Sequence, residues 1–186
     1  IDCDCLGMSG GWTPAVHLFT QSGGKLKFRD DDQVFIPDTY PSDQISIGSC
    51  NGEFTLDEIL SSISKKLKDF LNIKKTEYEN LEIQSHFNKT KRNIWLLPSD
   101  KIIGKTKPFV DYQNDATAKD IKLALREGFR SIEHVKRYTT TGMGTDQGKL
   151  GNMHALGIIS ETAGSKMGEL GTTTFRPPYT PLTFGA

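Results

Sequence analysis

The chain has 186 residues, with 23 Lys plus Arg set against 23 Asp plus Glu, so its formal net charge is zero. A balanced surface gives no electrostatic case for nucleic acid or an anionic membrane as a partner, and the length suffices for one substantial core or two small ones. No apolar run approaches the roughly 20 residues that span a bilayer, and no signal peptide is visible.

In chain order, "CDCLGMSG" is a short apolar run into glycine and predicts a buried strand in mid-course. The chain closes on an extended, uncapped stretch, so both ends are expected to be cut from a longer protein. "GGWTPAVHLFTQSGG" predicts a helix with Thr13 as N-cap, Pro14 at its first position and Gly23 as its stop. "KLKFRDDDQVFIP" predicts a hairpin around a charged turn, and "QISIGSCNG" predicts another strand running into glycine. "TLDEILSSISKKLKDFL" opens with a Thr55–Glu58 capping box and keeps Leu56, Ile59, Leu60, Ile63, Leu67 and Phe70 at helical spacing.

Residues 72–108 read as a linker with short strands, Ile94 to Leu97 being the best, and hold the expected domain boundary. Beyond it the pattern turns helical. Thr117 and Asp120 form a cap before Ile121, Ala124, Leu125 and Gly128; Ser131 precedes Ile132 and Val135; Met153, Leu156, Ile159 and Ala163 lead to Gly164. Residues 171–186 must be extended, because adjacent prolines forbid a helix. The expected class is α+β: the last strands of an α/β domain, then a small, mainly helical domain.

Three segments could carry chemistry. Gly10 and Gly11 precede a helix start, as Gly48 and Gly52 do, and two such turns could converge on one nucleotide or be ordinary tight turns. The stretch "EHVKRYTTTGMGTDQGKLGN", residues 133–152, sets basic side chains, hydroxyls and loose amides before a helix, which suits a phosphate nest or a flexible joint. It is not a P-loop, since Met143 stands where the first Gly belongs and Leu150 replaces the hydroxyl. The pattern holds no catalytic constellation. His17 reads as a packed or hydrogen-bonded histidine, His86 as solvated, and His134 and His154 lack a metal-binding companion. "VDYQND" could hold a cap or a partner contact. Cys3, Cys5 and Cys50 fit neither a disulfide framework nor zinc spacing; reduced thiols are the plain reading, which points to the cytoplasm. No catalytic or metal residue is assigned.

"CDCLGMSGGWTPAVHLFTQSGGKL", "FVDYQNDATAKDIKLALREGFRSIEHVKRYTTTGMGTDQGKLGN" and "GTTTFRPPYTPLTFGA" together resemble the α subunit of heterotetrameric sarcosine oxidase. The match is faintest from Asn72 to Lys107. The resemblance implies that residues 1–71 end an NAD-binding domain and that 109–170 form a helical middle domain related to ferredoxin-like modules, without their cluster cysteines. Residues 171–186 would lead into a folate-binding, aminomethyltransferase-like domain. It implies oxidative demethylation of sarcosine with one-carbon transfer to tetrahydrofolate. FAD and a covalently held FMN would belong to the β subunit, with γ and δ subunits completing the complex. Gly10, Gly11, Trp12 and Thr13 become NAD-side residues, joined by Leu18, Thr20, Asn51 and Gly52. Lys136, Arg137, Thr139, Thr140, Gln147 and Lys149 become candidates for the FMN phosphate and the β-subunit interface. The competing readings are a non-catalytic docking module and a subunit of a related proline, opine or dimethylglycine-type dehydrogenase.

Overall fold

The computed structural model describes residues 2–5, 7, 11–41, 43–73, 83, 93–97 and 105–185. The described chain is mixed α and β, mostly helical, with two small antiparallel sheets. Helix α1 (His17–Gln21) leads to the hairpin of β1 (Lys25–Arg29) and β2 (Val34–Thr39), and a 3-10 turn (Gly48–Asn51) leads to α2 (Leu56–Leu71). A second small sheet pairs β3 (Phe109–Asp111) with β4 (Ala116–Thr117), and α3 (Ala118–Arg126), α4 (Ile132–Thr139), α5 (Asn152–Ala163) and α6 (Met167–Leu170) complete the order.

The helices form where local chemistry demands them. Capping boxes close the starts of α2, through Thr55 and Glu58, and of α3, through Thr117 and Asp120. Gly164 at φ +65° ends α5, and Thr140 at φ +60° ends α4. Gly128, expected on the buried face of α3, instead follows that helix at φ +97°. Removing the Thr117 side chain as Thr117→Ala is expected to cost about 1 kcal/mol, seen as a lower urea midpoint; an unchanged midpoint would take this cap out of the account.

Among the described residues several expected elements are shifted or missing. Helix α1 starts at His17 rather than after Thr13, because the Val16 amide turns back to the Pro14 carbonyl at 3.1 Å and the first helical bond is Thr20 N–H to Val16 O, 3.0 Å. The strand expected at 44–48 is broken by a left-handed Gly48, φ +77°, whose N–H is taken by the Glu53 carboxylate at 2.9 Å. Residues 94–97 form no strand; Trp95 packs against α5, where a β-carbon on Gly157 would overlap its indole. Residues 2–5 are not a strand either. The rest of that opening run, most of the 72–108 linker and His86 lie outside the described residues.

One apolar core joins the hairpin to the helices. Phe35 of β2 is buried in the same cluster as Ile121, Val135, Leu156 and Ile159, with Leu26 and Phe28 packed alongside. Helix α5 is its axis, buried from Ala155 to Ile159 and packed against α3. The ends of this axis position the candidate site.

Candidate functional site

The loop between α4 and α5 is held from outside by one carboxylate. Asp111 closes β3 and is buried. Its Oδ2 accepts from Gly142 N–H at 2.7 Å and from Asn114 Nδ2 at 3.3 Å, and its Oδ1 accepts from Gln113 and Asn114 N–H at 2.9 and 3.0 Å. Burial pushes the Asp111 pKa up, but the Gly142 amide and then Asn114 and Gln113 pull it below the ordinary carboxylate value. The β3–β4 turn adds two further staples: Gln113 Nε2 donates to Thr145 Oγ1 at 2.7 Å, and Asp146 N–H donates to Gln113 Oε1 at 3.1 Å. Within the loop, Gly142 and Gly148 sit at φ +72° and +74°, and a β-carbon on either would overlap the Asn152 side chain.

The basic side chains expected at a phosphate are placed by this loop and by the chain's extended C-terminal segment. Arg137 pairs with Glu133 at 3.3 Å, one turn back on α4. Lys136 Nζ donates to Thr174 O at 3.3 Å, while Thr174 N–H donates to Glu133 Oε1 at 2.5 Å. Burial, together with Arg176 and Arg137, lowers the Lys136 pKa against the opposing pull of Glu133. Lys149 Nζ donates to Tyr179 O at 2.5 Å and lies 4.5 Å from that ring's centroid. Thr140 is exposed, and Gln147 donates to Gly144 O at 3.1 Å. The hydroxyl of Thr139 is buried, bonded to Val135 O at 2.8 Å and to Thr141 at 2.7 Å, so it locks the helix end rather than facing outward.

The residues expected near a dinucleotide are more scattered. Gly11, Trp12 and Leu18 are exposed, Trp12 at 78%. Gly10 lies outside the described residues. Thr20 turns its hydroxyl back to His17 O at 2.9 Å. Asn51 accepts from Tyr40 OH at 3.1 Å, and Gly52 sits at φ +75° with its carbonyl taken by Arg29 at 2.8 Å. Among the described residues no strand precedes Gly48, and most of the run before Gly11 lies outside them.

Thr13 and Lys149 share one cavity lining. Both line a cavity of about 40 Å³ between α1, the start of α5 and the C-terminal segment, with His17, Asn152, Thr173 and Phe175. That is room for about three waters, far less than a nucleotide needs. His17 was expected to be packed or hydrogen-bonded. It is packed, 3.8 Å from the Phe175 ring centroid, but neither ring nitrogen has a hydrogen-bond partner among the described residues. Sequence spacing could not reveal this, because the groups around His17 come from segments more than a hundred residues away. The same distance hid the role of Asp111, although its Asp-x-Gln-Asn turn was legible as polar.

Comparison with known proteins matches this chain to one part of longer ones. A family model described as the Sarcosine oxidase A3 domain matches residues 105–186. The sarcosine oxidase alpha chain of Rhizobium meliloti (strain 1021) is 36% identical over 197 residues, a match covering 100% of this chain and 19% of that one. The chain is a homologue of the sarcosine oxidase α subunit. The protein of the same name from Corynebacterium sp. (strain P-1) is 34% identical, again over 100% of this chain and 20% of its own length. The homologous segment thus spans about one fifth of the sarcosine oxidase α subunits it matches. An opine oxidase subunit of Rhizobium meliloti (strain 1021) is 34% identical over 71 residues, covering 38% of this chain and 16% of that one. Among solved structures, the crystal structure of L-proline dehydrogenase from P. horikoshii matches 94% of this chain and 37% of its own, with a TM-score of 0.58 and 22% identity. The fold is therefore shared with part of that enzyme. Among the described residues no three of His, Cys, Asp and Glu converge on a metal site, and no helix is long and apolar enough to cross a membrane.

Proposed function

We propose that this chain is the part of a sarcosine oxidase α subunit in which an NAD-binding domain (1–71) passes through a linker (72–108) into the helical middle domain (109–170) and the approach to a folate domain (171–186). The whole enzyme would demethylate sarcosine oxidatively and hand the one-carbon unit to tetrahydrofolate, with α, β, γ and δ subunits. Gly10, Gly11, Trp12, Thr13, Leu18, Thr20, Asn51 and Gly52 would serve the NAD side. The α4–α5 loop would hold the phosphate of an FMN shared with the β subunit, which also carries FAD; bound FMN supplies electron transfer toward oxygen.

The observation that carries this reading is the Asp111-anchored loop. It fixes two left-handed glycines beside the basic end of α4, their own N–H groups taken by Asp111 and Asp146, so the cations around that helix end would supply the phosphate contact. Lys136, Arg137, Thr140, Gln147 and Lys149 supply the polar groups, and the buried Thr139 sets the helix end. In the intact complex, Lys136→Ala with Arg137→Ala is expected to lower the FMN-to-FAD ratio several-fold while the subunits still co-elute. An unchanged ratio would sink the cradle, and lost assembly with flavin retained would favour pure docking. The likeness to an opine oxidase subunit over 71 residues favours one second reading, a subunit of a related amine dehydrogenase; turnover of the complex with sarcosine, proline and opines separates the two.

A further inference from the structure

The cations at the end of α4 have company that arrives from the far end of the chain. In the extended segment Thr173 and Phe175 are buried while Thr174 and Arg176 are exposed, the alternation of a straight run of backbone. Thr174 faces α4: its N–H donates to Glu133 Oε1 at 2.5 Å, and its carbonyl accepts from Lys136 Nζ at 3.3 Å. Arg176, two residues on, leaves the backbone on the same side as Thr174, and Pro177 after it favours extended backbone there. Its charge reaches Lys136. Burial pushes the Lys136 pKa down first, Glu133 pulls it up, and Arg176 then pushes it down more strongly than Arg137, the neighbour in sequence. Arg137 pairs with Glu133 at 3.3 Å. Arg176 has no hydrogen bond or ion pair among the described residues.

Three cations, Lys136, Arg137 and Arg176, thus gather around the carboxylate of Glu133 and leave two positive charges, on a chain whose own net charge is zero. Like charges held together are disfavoured until an anion joins them. A phosphate monoester brings a charge of about −1.5 to −2 at pH 7, which matches the excess. We propose that Arg176 is the third cation of the flavin phosphate site, carried to the end of α4 by the segment that Glu133 and Lys136 clasp. This rests on the reading of that helix end as the place of the FMN phosphate. Arg176 adds what the other two lack. Arg137 is already paired and Lys136 donates to a carbonyl, whereas a guanidinium without partners can take two phosphate oxygens on parallel N–H groups. The placement also ties the phosphate to the extended segment, because moving Thr174 off α4 takes Arg176 with it.

The test is made on the intact complex. Arg176→Gln is expected to lower the FMN-to-FAD ratio several-fold and to shift the phosphorus NMR signal of the FMN that remains. That monoester signal stands apart from the pyrophosphates of FAD and NAD. Arg176→Lys, which keeps the charge, is expected to hold most of the wild-type ratio. Lys119→Gln, which removes an exposed cation of α3, is the control and should move neither. An unshifted phosphorus signal in Arg176→Gln would overturn the proposal whatever the ratio, because any flavin loss would then be indirect. Equal losses in Arg176→Gln and Arg176→Lys would overturn it too. Should Arg176→Gln prevent assembly, Arg176→Lys decides alone, and an unchanged phosphorus signal there removes Arg176 from the site. The flavin reading fails separately: it falls if Lys136→Ala with Arg137→Ala leaves the ratio unchanged. A lowered ratio there beside an unaltered Arg176→Gln removes Arg176 alone.

Discussion

Asp111→Asn is expected to destabilise the protein by about 2–3 kcal/mol, because a buried donor left unpaired costs about 1–3 kcal/mol. The carboxylate uses both oxygens as acceptors: one side takes Gln113 and Asn114 N–H, the other takes Gly142 N–H and Asn114 Nδ2. An amide has one acceptor oxygen, so either the β3–β4 turn or Gly142 must lose its bond and face an NH2 group instead. The expected signs are a lower urea midpoint and faster proteolytic cleavage within residues 141–150. An unchanged midpoint and cleavage rate would mean that the loop is held by something other than this side chain. The same carboxylate predicts an acid limit. Its folded pKa lies below the ordinary value, so its stabilisation is present above the unfolded value of about 3.9 and is lost as pH falls through the depressed folded value.

Phe35→Ala is the second large effect, at about 3–5 kcal/mol for truncating a buried aromatic. Phe35 is 3% exposed, 5.0 Å from the Phe28 ring centroid, and belongs to the core formed by α3, α4 and α5. Helical circular dichroism and hairpin stability should therefore fall together, in one transition at a lower midpoint. Helices that kept their wild-type midpoint while the hairpin alone loosened would show that the two halves do not depend on each other.

How much of this was legible follows from where each signal resides. Helices α2 to α5 could be read because a capping box such as Thr117–Asp120, or a stop such as Gly164, is complete within a few residues of chain. The hairpin was legible from its alternating flanks, with Phe28 opposite Phe35 in the register. The 3-10 turn at Gly48 was not, because Glu53 competes for the very amide a strand would have used. The two-residue β4 was too short for any pattern. At the candidate site the residue types were readable and their company was not. Lys136, Arg137 and Lys149 stood out as basic, yet their bonds to Glu133, Thr174 and Tyr179 depend on how a distant extended segment lies. His17 looked like one more apolar-face residue until Lys149, Phe175 and Tyr179 were placed around it.

That extended segment is fastened at more than one place. Both main-chain groups of Thr174 are held by residues one turn apart on α4, and Tyr179 O is held by Lys149 from the loop. A chain attached at a single point can swivel; attachment at three points fixes its position, its direction and its roll. Helix α4, the loop and the segment from Thr174 to Tyr179 are thus tied by three hydrogen bonds, so a change at one of them is felt at the other two.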